Sequence, residues 1–137
     1  MRDKVEPMTV HGHTLDSFTV QYLATALWST NDESTPQGGE PFDARFSVSD
    51  FSNAAVLRAV FDCVGFQLNN SELLNKAYAT GIEASTAGHD FWLTRNRHGA
   101  GFWDGDYPEE VGDKLTAAAH KYGEVDLYEN NGEVEFA

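Results

Sequence analysis

The sequence predicts an α+β domain in which helices pack on one face of an antiparallel four-stranded sheet, in the order α-α-β-β-α-β-β. Two patterns favour this class. Apolar residues recur at helical spacing in three regions, and short aromatic or β-branched runs with hairpin-type turns lie between and after them. Residues 1–137, of which 41% are hydrophobic, suit a single domain with a sizeable core.

The first helix is expected to begin at Thr14, a candidate N-cap, and to end near Trp28 after an apolar stripe of period 3.6. Before it, residues 1–13 are expected to form a loose arm. After it, residues 29–45 are rich in Ser, Thr, Asn, Asp, Gly and Pro, which predicts a flexible loop.

The second helix is predicted from candidate caps within residues 49–52 and from apolar residues at helical spacing up to Leu68. Gly65 is a candidate break, because glycine costs about 1 kcal/mol relative to alanine inside a helix. A short further helix is expected to follow Asn70 and to end before Gly81, which is a good terminator.

The pattern changes at His89, because residues 89–95 alternate with aromatic and β-branched content and so predict a strand. Asn96–Gly99 has the composition of a hairpin turn, and residues 100–104 are expected to be the return strand. These two strands form the first half of the predicted sheet.

The third main helix is expected to have Pro108 at its first position and to end before Gly123. The Asn131-Gly132 pair then predicts a two-residue hairpin, in which Leu127 faces Phe136 if the turn is of type I′. This hairpin supplies the other two strands of the sheet.

The net charge limits the classes of function. The chain has 22 acidic and 9 basic residues, which gives −13 at neutral pH. Direct binding to nucleic acid or to anionic lipid is not expected, since both need basic protein surfaces. The charge serves either solubility or attraction to a partner with a basic surface.

The sequence predicts a cytoplasmic location. No stretch is long and apolar enough to span a membrane, and residues 1–7 lack the apolar region of a secretion signal. Cys63 is the only cysteine, so an internal disulfide is impossible and a cysteine-based zinc site is not expected. These features suit a reducing compartment.

The C-terminal hairpin is the first candidate site. Four carboxylates are expected to share the face opposite its apolar residues, and like charges on neighbouring strands destabilise a sheet. They form either a solvated face that guards the edge or a recognition surface for a cationic partner. A Mg²⁺ or Ca²⁺ cluster is a third option, although no loop has the required spacing. The candidate binding residues, with two tryptophans that could anchor a partner, are Glu124, Asp126, Glu133, Glu135, Trp92 and Trp103.

The predicted hairpin of residues 89–104 is the second candidate site. Its polar side chains could form a metal or acid–base cluster, but one His and one Asp without a third placed ligand fix no coordination geometry. The alternative is structural, with polar groups bonded to local backbone and with Gly99 and Gly101 making room for a tryptophan. No phosphate-loop, dinucleotide or nucleophile-elbow motif is present, so neither a cofactor nor a metal is predicted. The residues of this cluster are His89, Asp90, Arg95, His98 and Asp104.

The same stretch resembles a family of proteins. The run Leu-Thr-Arg-Asn-Arg-His-Gly-Ala-Gly-Phe-Trp-Asp at residues 93–104, with Gly-Asp-Lys-Leu-Thr at 112–116 and Val-Asp-Leu-Tyr at 125–128, is similar to small uncharacterised proteins of bacteriophages and mobile elements. The resemblance covers roughly residues 87–129, with a vaguer match around residues 22–28. It implies a biological setting and no particular chemistry, because the family has no established activity.

The sequence leaves three hypotheses of function. The first is a non-enzymatic accessory protein of a phage or mobile element that binds a host protein with a basic surface, such as a defence or nucleic-acid-handling factor. The second is a small enzyme or metal-binding domain, which requires the polar residues of 89–104 to converge on one pocket. The third is a homo-oligomeric structural or virion-associated protein, with exposed tryptophans at its interface.

Overall fold

The computed structural model describes residues 5–32 and 39–137. This part of the chain contains five α-helices, and each of them is too short or too polar to span a bilayer. The helices are α1 (Ser17–Ser29), α2 (Asn53–Asn69), α3 (Ser71–Ala79), α4 (Ala84–Arg95) and α5 (Glu109–His120). Two short 3-10 turns, Phe42–Ala44 and Val48–Asp50, precede α2.

The strands of the described residues form three separate antiparallel pairs, so the predicted four-stranded sheet is wrong although the α+β class is right. The pairs are β1 (Met8–Val10) with β2 (His13–Leu15), β3 (Asn31–Asp32) with β4 (Glu40–Pro41), and β5 (Leu127–Asn130) with β6 (Glu133–Phe136).

The main error concerns residues 89–104, which were predicted to be a β-hairpin. Residues 89–95 belong to helix α4, and the rest form the loop that leads to α5. Nine of the twelve residues of α4 are buried, so this helix lacks the polar side that gives a surface helix its period of 3.6. Its aromatic and β-branched residues therefore resembled a strand.

Residues 8–15 form a β-hairpin where a loose arm was predicted. The His11-Gly12 turn has positive φ at both residues, 52° and 79°, as a type I′ turn requires. Because this hairpin extends past Thr14, helix α1 begins later than predicted. Its N-cap is Asp16, whose carboxylate accepts a hydrogen bond from the Thr19 amide at 2.9 Å.

Much of the predicted flexible loop has defined structure. Strands β3 and β4 lie within it, and Phe42 is buried in the core. The Arg45 guanidinium lies 3.0 Å from the Asp32 carboxylate and 3.6 Å from that of Glu129, which ties the segment to β5. Residues 33–38 of the predicted loop lie outside the described residues.

Helix α2 follows its sequence signals closely. The Ser52 hydroxyl accepts a hydrogen bond from the Ala55 amide at 3.0 Å and caps the helix. The candidate break at Gly65 does not occur, since the helix continues to Asn69. The short helix α3 then ends just before Gly81, as predicted.

The C-terminal hairpin has the predicted turn and register. Asn131-Gly132 has φ values of 53° and 83°, which are those of a type I′ turn. Leu127 lies opposite Phe136, and Tyr128 lies opposite Glu135.

Helices α1 and α4 approach each other very closely at the centre of the core. A Cβ atom added to Gly88 would lie 2.0 Å from the carbonyl oxygen of Phe18, so only glycine fits there. Beside this contact, the Phe91 ring stacks on Phe66 at 4.1 Å and on Tyr22 at 5.3 Å. The core is therefore built around aromatic rings that α4 carries.

Arg95 is a buried cation at the end of α4 that connects four segments. Its guanidinium donates to the Asp62 carboxylate at 2.9 Å, to the Tyr22 hydroxyl at 3.0 Å, and to the carbonyl oxygens of Tyr122 and Gly123. Burial alone would lower the pKa of Arg95, but the neighbouring Tyr22 and Asp62 outweigh it and raise that pKa. The side chain is thus charged, and four of its five N–H groups donate hydrogen bonds to described residues.

We expect Arg95→Met to lower the free energy of unfolding by about 3–5 kcal/mol, because it leaves Asp62, the buried Tyr22 hydroxyl and two partly buried carbonyl groups without their donor. Chemical denaturation followed by circular dichroism measures this loss. Lys76→Met, which removes an exposed cation, should change the free energy by less than about 0.5 kcal/mol. Equal effects of the two substitutions would contradict the structural role of Arg95.

Two glycine-to-alanine substitutions should act in opposite directions. Gly88→Ala should destabilise the protein by about 3 kcal/mol or more, because its methyl group would overlap the Phe18 backbone. Gly65→Ala should stabilise it by about 1 kcal/mol, since the added methyl group meets only the Tyr122 hydroxyl at 3.5 Å and alanine favours the helix. Thermal unfolding compares the two variants, and a neutral Gly88→Ala would refute the close packing.

Candidate interaction surfaces

The acidic residues of the C-terminal hairpin do not face one another across its strands. Glu133 lies opposite Asn130 and Glu135 lies opposite Tyr128, so no carboxylate of β6 has another carboxylate as its direct neighbour on β5. Glu135 also accepts a hydrogen bond from the Ser52 hydroxyl. The cross-strand repulsion that pointed to a recognition surface here is therefore absent from the pair.

The other two predicted carboxylates lie before β5, at a cleft. Glu124 and Asp126 line this cleft of about 420 Å³ together with His98 and Trp92. Neither carboxylate forms an ion pair within the described part of the chain. Trp92 is only 1% exposed and its indole N–H donates to the Ser29 hydroxyl at 2.8 Å, so it belongs to the core and not to a docking surface.

His89 and Asp90 are the one adjacent pair of the predicted polar cluster. His89 Nδ1 lies 3.0 Å from an Asp90 carboxylate oxygen, and the Tyr107 hydroxyl donates to the other oxygen at 2.7 Å. The indole of Trp28 packs against the His89 ring at 5.7 Å. Burial, together with the negative charge of Asp90 that accepts its hydrogen bond, raises the pKa of Tyr107 well above its ordinary value.

The remaining residues of that cluster point elsewhere. Arg95 is bonded to Asp62 and its neighbours, His98 lines the cleft, and Asp104 accepts a hydrogen bond from the Gly101 amide at 3.2 Å within its own turn. No group of three or more His, Cys, Asp or Glu side chains among residues 5–32 and 39–137 is arranged to hold a metal ion. The convergence that an enzymatic or metal site would require is not found there.

The glycines of the His-Gly-Ala-Gly-Phe-Trp-Asp loop serve the packing of a phenylalanine. A Cβ on Gly101 would lie 2.2 Å from the Thr94 hydroxyl oxygen, which in turn accepts a hydrogen bond from the Phe102 amide at 3.1 Å. The Phe102 ring is buried and stacks on Phe66 at 5.7 Å. Gly101 therefore makes room for Thr94 and not for a tryptophan, whereas Gly99 borders open space.

Trp103 turns outward next to Phe102 and lies in an acidic pocket. Its side chain is 51% exposed, and the pocket of about 430 Å³ that it lines also contains Glu109 and Asp113. Of the nearby carboxylates, Glu110 pairs with Lys114 at 2.7 Å, but Glu109 and Asp113 form no ion pair with a described residue. An indole and two carboxylates that form no ion pair with a described residue thus share one concave surface, the Trp103 pocket.

A sequence signal for this pocket existed and was missed. Residues 104–113, directly after Trp103, contain five acidic residues and no basic one. The hairpin seemed the stronger candidate only because its carboxylates were expected to repel one another. Of the six predicted binding residues, Trp103 alone lies in the pocket.

Helix α2 exposes a second apolar stripe besides the one that faces the core. The side of α2 that faces the core carries Val56, Cys63 and Phe66. A different set of large apolar side chains points to solvent along the whole helix. These residues, which we call the α2 stripe, are Leu57, Phe61, Val64 and Leu68.

Tyr107→Phe should lower the free energy of unfolding by about 1–3 kcal/mol at neutral pH, because the buried Asp90 carboxylate loses a donor. The pKa of Tyr107 is raised in the folded protein. The contribution of this tyrosine to stability is therefore complete below about pH 10 and falls above it, where Tyr107 ionises more readily in the unfolded chain than in the folded one. The variant should therefore lose stability less steeply than the wild type above pH 10. Urea unfolding between pH 7 and 11 tests this, and Tyr128→Phe is the exposed control, expected to match the wild type at neutral pH.

Comparison with known proteins gives no family for the chain. No protein-family model matches it, and no curated protein matches it. No solved structure matches it either. The geometry of the surfaces described above is thus the main support for a function.

Proposed function

We propose that the protein has no catalytic role and acts by binding a cationic segment of another protein in the Trp103 pocket. The observation that carries this proposal is the placement of a half-exposed indole beside the carboxylates of Glu109 and Asp113, which have no cationic partner among residues 5–32 and 39–137. A pocket of about 430 Å³ accepts one or two long side chains.

The chemistry of the pocket suits lysine or arginine. A guanidinium or ammonium group over an indole face gains about 0.5–2 kcal/mol, and tryptophan is the most favourable ring for this contact. The carboxylates of Glu109 and Asp113 can then accept charge-assisted hydrogen bonds, which are bidentate for arginine. Tryptophan is also the residue type most enriched among interface positions that dominate affinity.

The charge of the whole chain supports the same kind of partner. The net charge of −13 attracts a basic surface over a long range, and residues 104–113 concentrate five carboxylates next to Trp103. Association with a basic protein would therefore be fast at low ionic strength and slower in salt.

The class of partner that we infer is a protein with a basic groove or segment, such as one that normally holds DNA or RNA. The resemblance of residues 87–129 to proteins of bacteriophages and mobile elements adds the setting, in which the partner is a host defence or nucleic-acid-handling factor and the protein antagonises it. An enzymatic role has less support, because His89 and Asp90 contact each other but no three His, Cys, Asp or Glu side chains among the described residues are grouped to hold a metal ion, and Asp104 is bonded within its own turn.

Trp103→Ala should weaken binding of the cationic partner by at least about 30-fold, the effect of losing a tryptophan that contributes about 2 kcal/mol. Glu109→Gln with Asp113→Asn should weaken it as well and should reduce its dependence on salt. Affinity capture from host lysate at low and high salt, followed by titration of the purified partner, measures both effects.

The matched control replaces carboxylates outside the pocket. The control is a triple variant, Glu124→Gln with Asp126→Asn and Glu133→Gln. It changes the net charge by more than the double substitution in the pocket does, yet it should still bind the partner. Loss of the partner in this control alone would move the binding surface to the cleft and the C-terminal hairpin. A partner that all variants retain would contradict binding through acidic residues.

A further inference from the structure

We propose that the α2 stripe is a twofold interface through which two copies of this chain pair, with their α2 helices antiparallel. This inference does not depend on the proposed function, because Leu57, Phe61, Val64 and Leu68 do not line the Trp103 pocket.

The first support is the exposure of the stripe. Phe61 is 79% exposed and Leu68 is 72% exposed, and Leu57 and Val64 complete a continuous line along a 17-residue helix. Single exposed apolar residues are ordinary, but a contiguous apolar stripe marks an interaction surface. The spacing of 4, 3 and 4 residues is the one by which a helix packs against another helix.

The second support is electrostatic, and it favours a second copy of this chain over a cationic partner as the molecule that covers the stripe. Helix α2 contains one acidic residue, Asp62, and that carboxylate is bonded to Arg95. The stripe therefore has no unbonded carboxylate of α2 beside it in a molecule whose net charge is −13, and the Asp16 carboxylate, which approaches α2 from the start of α1, accepts a hydrogen bond from Gln67 at 3.2 Å. Two copies can meet there without placing like charges together, whereas a cationic partner would find no counter-charge on this surface.

The third support is the symmetry of the stripe. Its four positions are evenly placed about the midpoint between Phe61 and Val64, so an antiparallel copy matches it in register. Leu57 of one copy then faces Leu68 of the other, and Phe61 faces Val64. Such reciprocal contacts are what a twofold interface requires, and a large ring opposite a small side chain fills space well.

An antiparallel pair is also better than a parallel one. A parallel pair would place two Phe61 rings in one layer and two Val64 side chains in the next, which packs unevenly. It would also align the two helix dipoles in the same direction. One side of the stripe is flanked by Arg58, Gly65 and Asn69. None of these residues adds a carboxylate to the antiparallel contact.

The size of the surface predicts a reversible dimer. A 17-residue helix is about 25 Å long. A pair of such helices buries less than the roughly 800 Å² per partner of a standard interface. The dimer should therefore form at high protein concentration and dissociate on dilution.

Sedimentation equilibrium over a wide concentration range tests the pairing. The mass should rise from 15.1 kDa to twice that value, and added salt should favour the dimer because it screens the repulsion between two acidic molecules. F61K should abolish the rise. Since F61K makes the chain less negative, general charge repulsion cannot explain that loss.

A charge exchange tests the orientation. V64E alone should also abolish the dimer, whereas F61K combined with V64E should restore it, because position 61 of one copy faces position 64 of the other. Y128K, which changes an exposed apolar residue outside the stripe, is the matched control and should still dimerise. Circular dichroism checks that each variant is folded.

A monomer at every concentration would overturn the proposal and leave the stripe for a helix of a different protein. A dimer that F61K does not disrupt would overturn it as well. Trp103→Ala should dimerise like the wild type. Added salt should favour dimerisation but weaken binding of a cationic partner. A failure of one proposal can therefore be distinguished from a failure of the other.

Discussion

The burial of helix α4 on all its sides is the constraint on which the rest of the structure depends. Gly88 brings α4 against the backbone of α1, and the Phe91 ring then packs with rings from α1 and α2. The loop after α4 closes the core from another side, because Phe102 inserts against Phe66. Packing around one central helix therefore explains Gly88, Phe91, Gly101 and Phe102 of the aromatic and glycine-rich signature, whereas Gly99 and Trp103 lie at the surface.

Several polar side chains on α4 are carried into the interior with the rest of the helix, and Asp90, Thr94 and Arg95 all have hydrogen-bond partners there. Arg95 bonds Asp62 and three oxygen atoms of other residues, Asp90 bonds Tyr107, and the Thr94 hydroxyl bonds the Phe102 amide. A buried charge without such bonds would cost several kcal/mol. Asp90 and Arg95, which looked like members of a chemical cluster in the sequence, are thus explained by the cost of burying polar groups.

The surface divides its charged and apolar groups between different places. Residues 104–113 concentrate carboxylates around Trp103, whereas the α2 stripe carries none. The first surface suits a basic molecule and the second suits another apolar helix face. A molecule of net charge −13 can associate with itself most easily where its carboxylates are absent, so the charge on which the proposed binding of a basic partner relies would also limit where two copies can meet.

Local signals in the sequence determined the elements whose structure depends on neighbouring residues along the chain. The Ser52 cap, the type I′ turn at Asn131-Gly132 and the helix that follows Pro108 are examples, since cap and turn geometry is set within a few residues. The sequence also contained the acidic run after Trp103 and both apolar stripes of α2. Only the tertiary structure decided that α4 is a helix and which stripe of α2 faces the core. The physical reason is that a segment buried on every side has no polar face to reveal its period, and that two apolar faces of one helix are equivalent until a neighbour covers one of them.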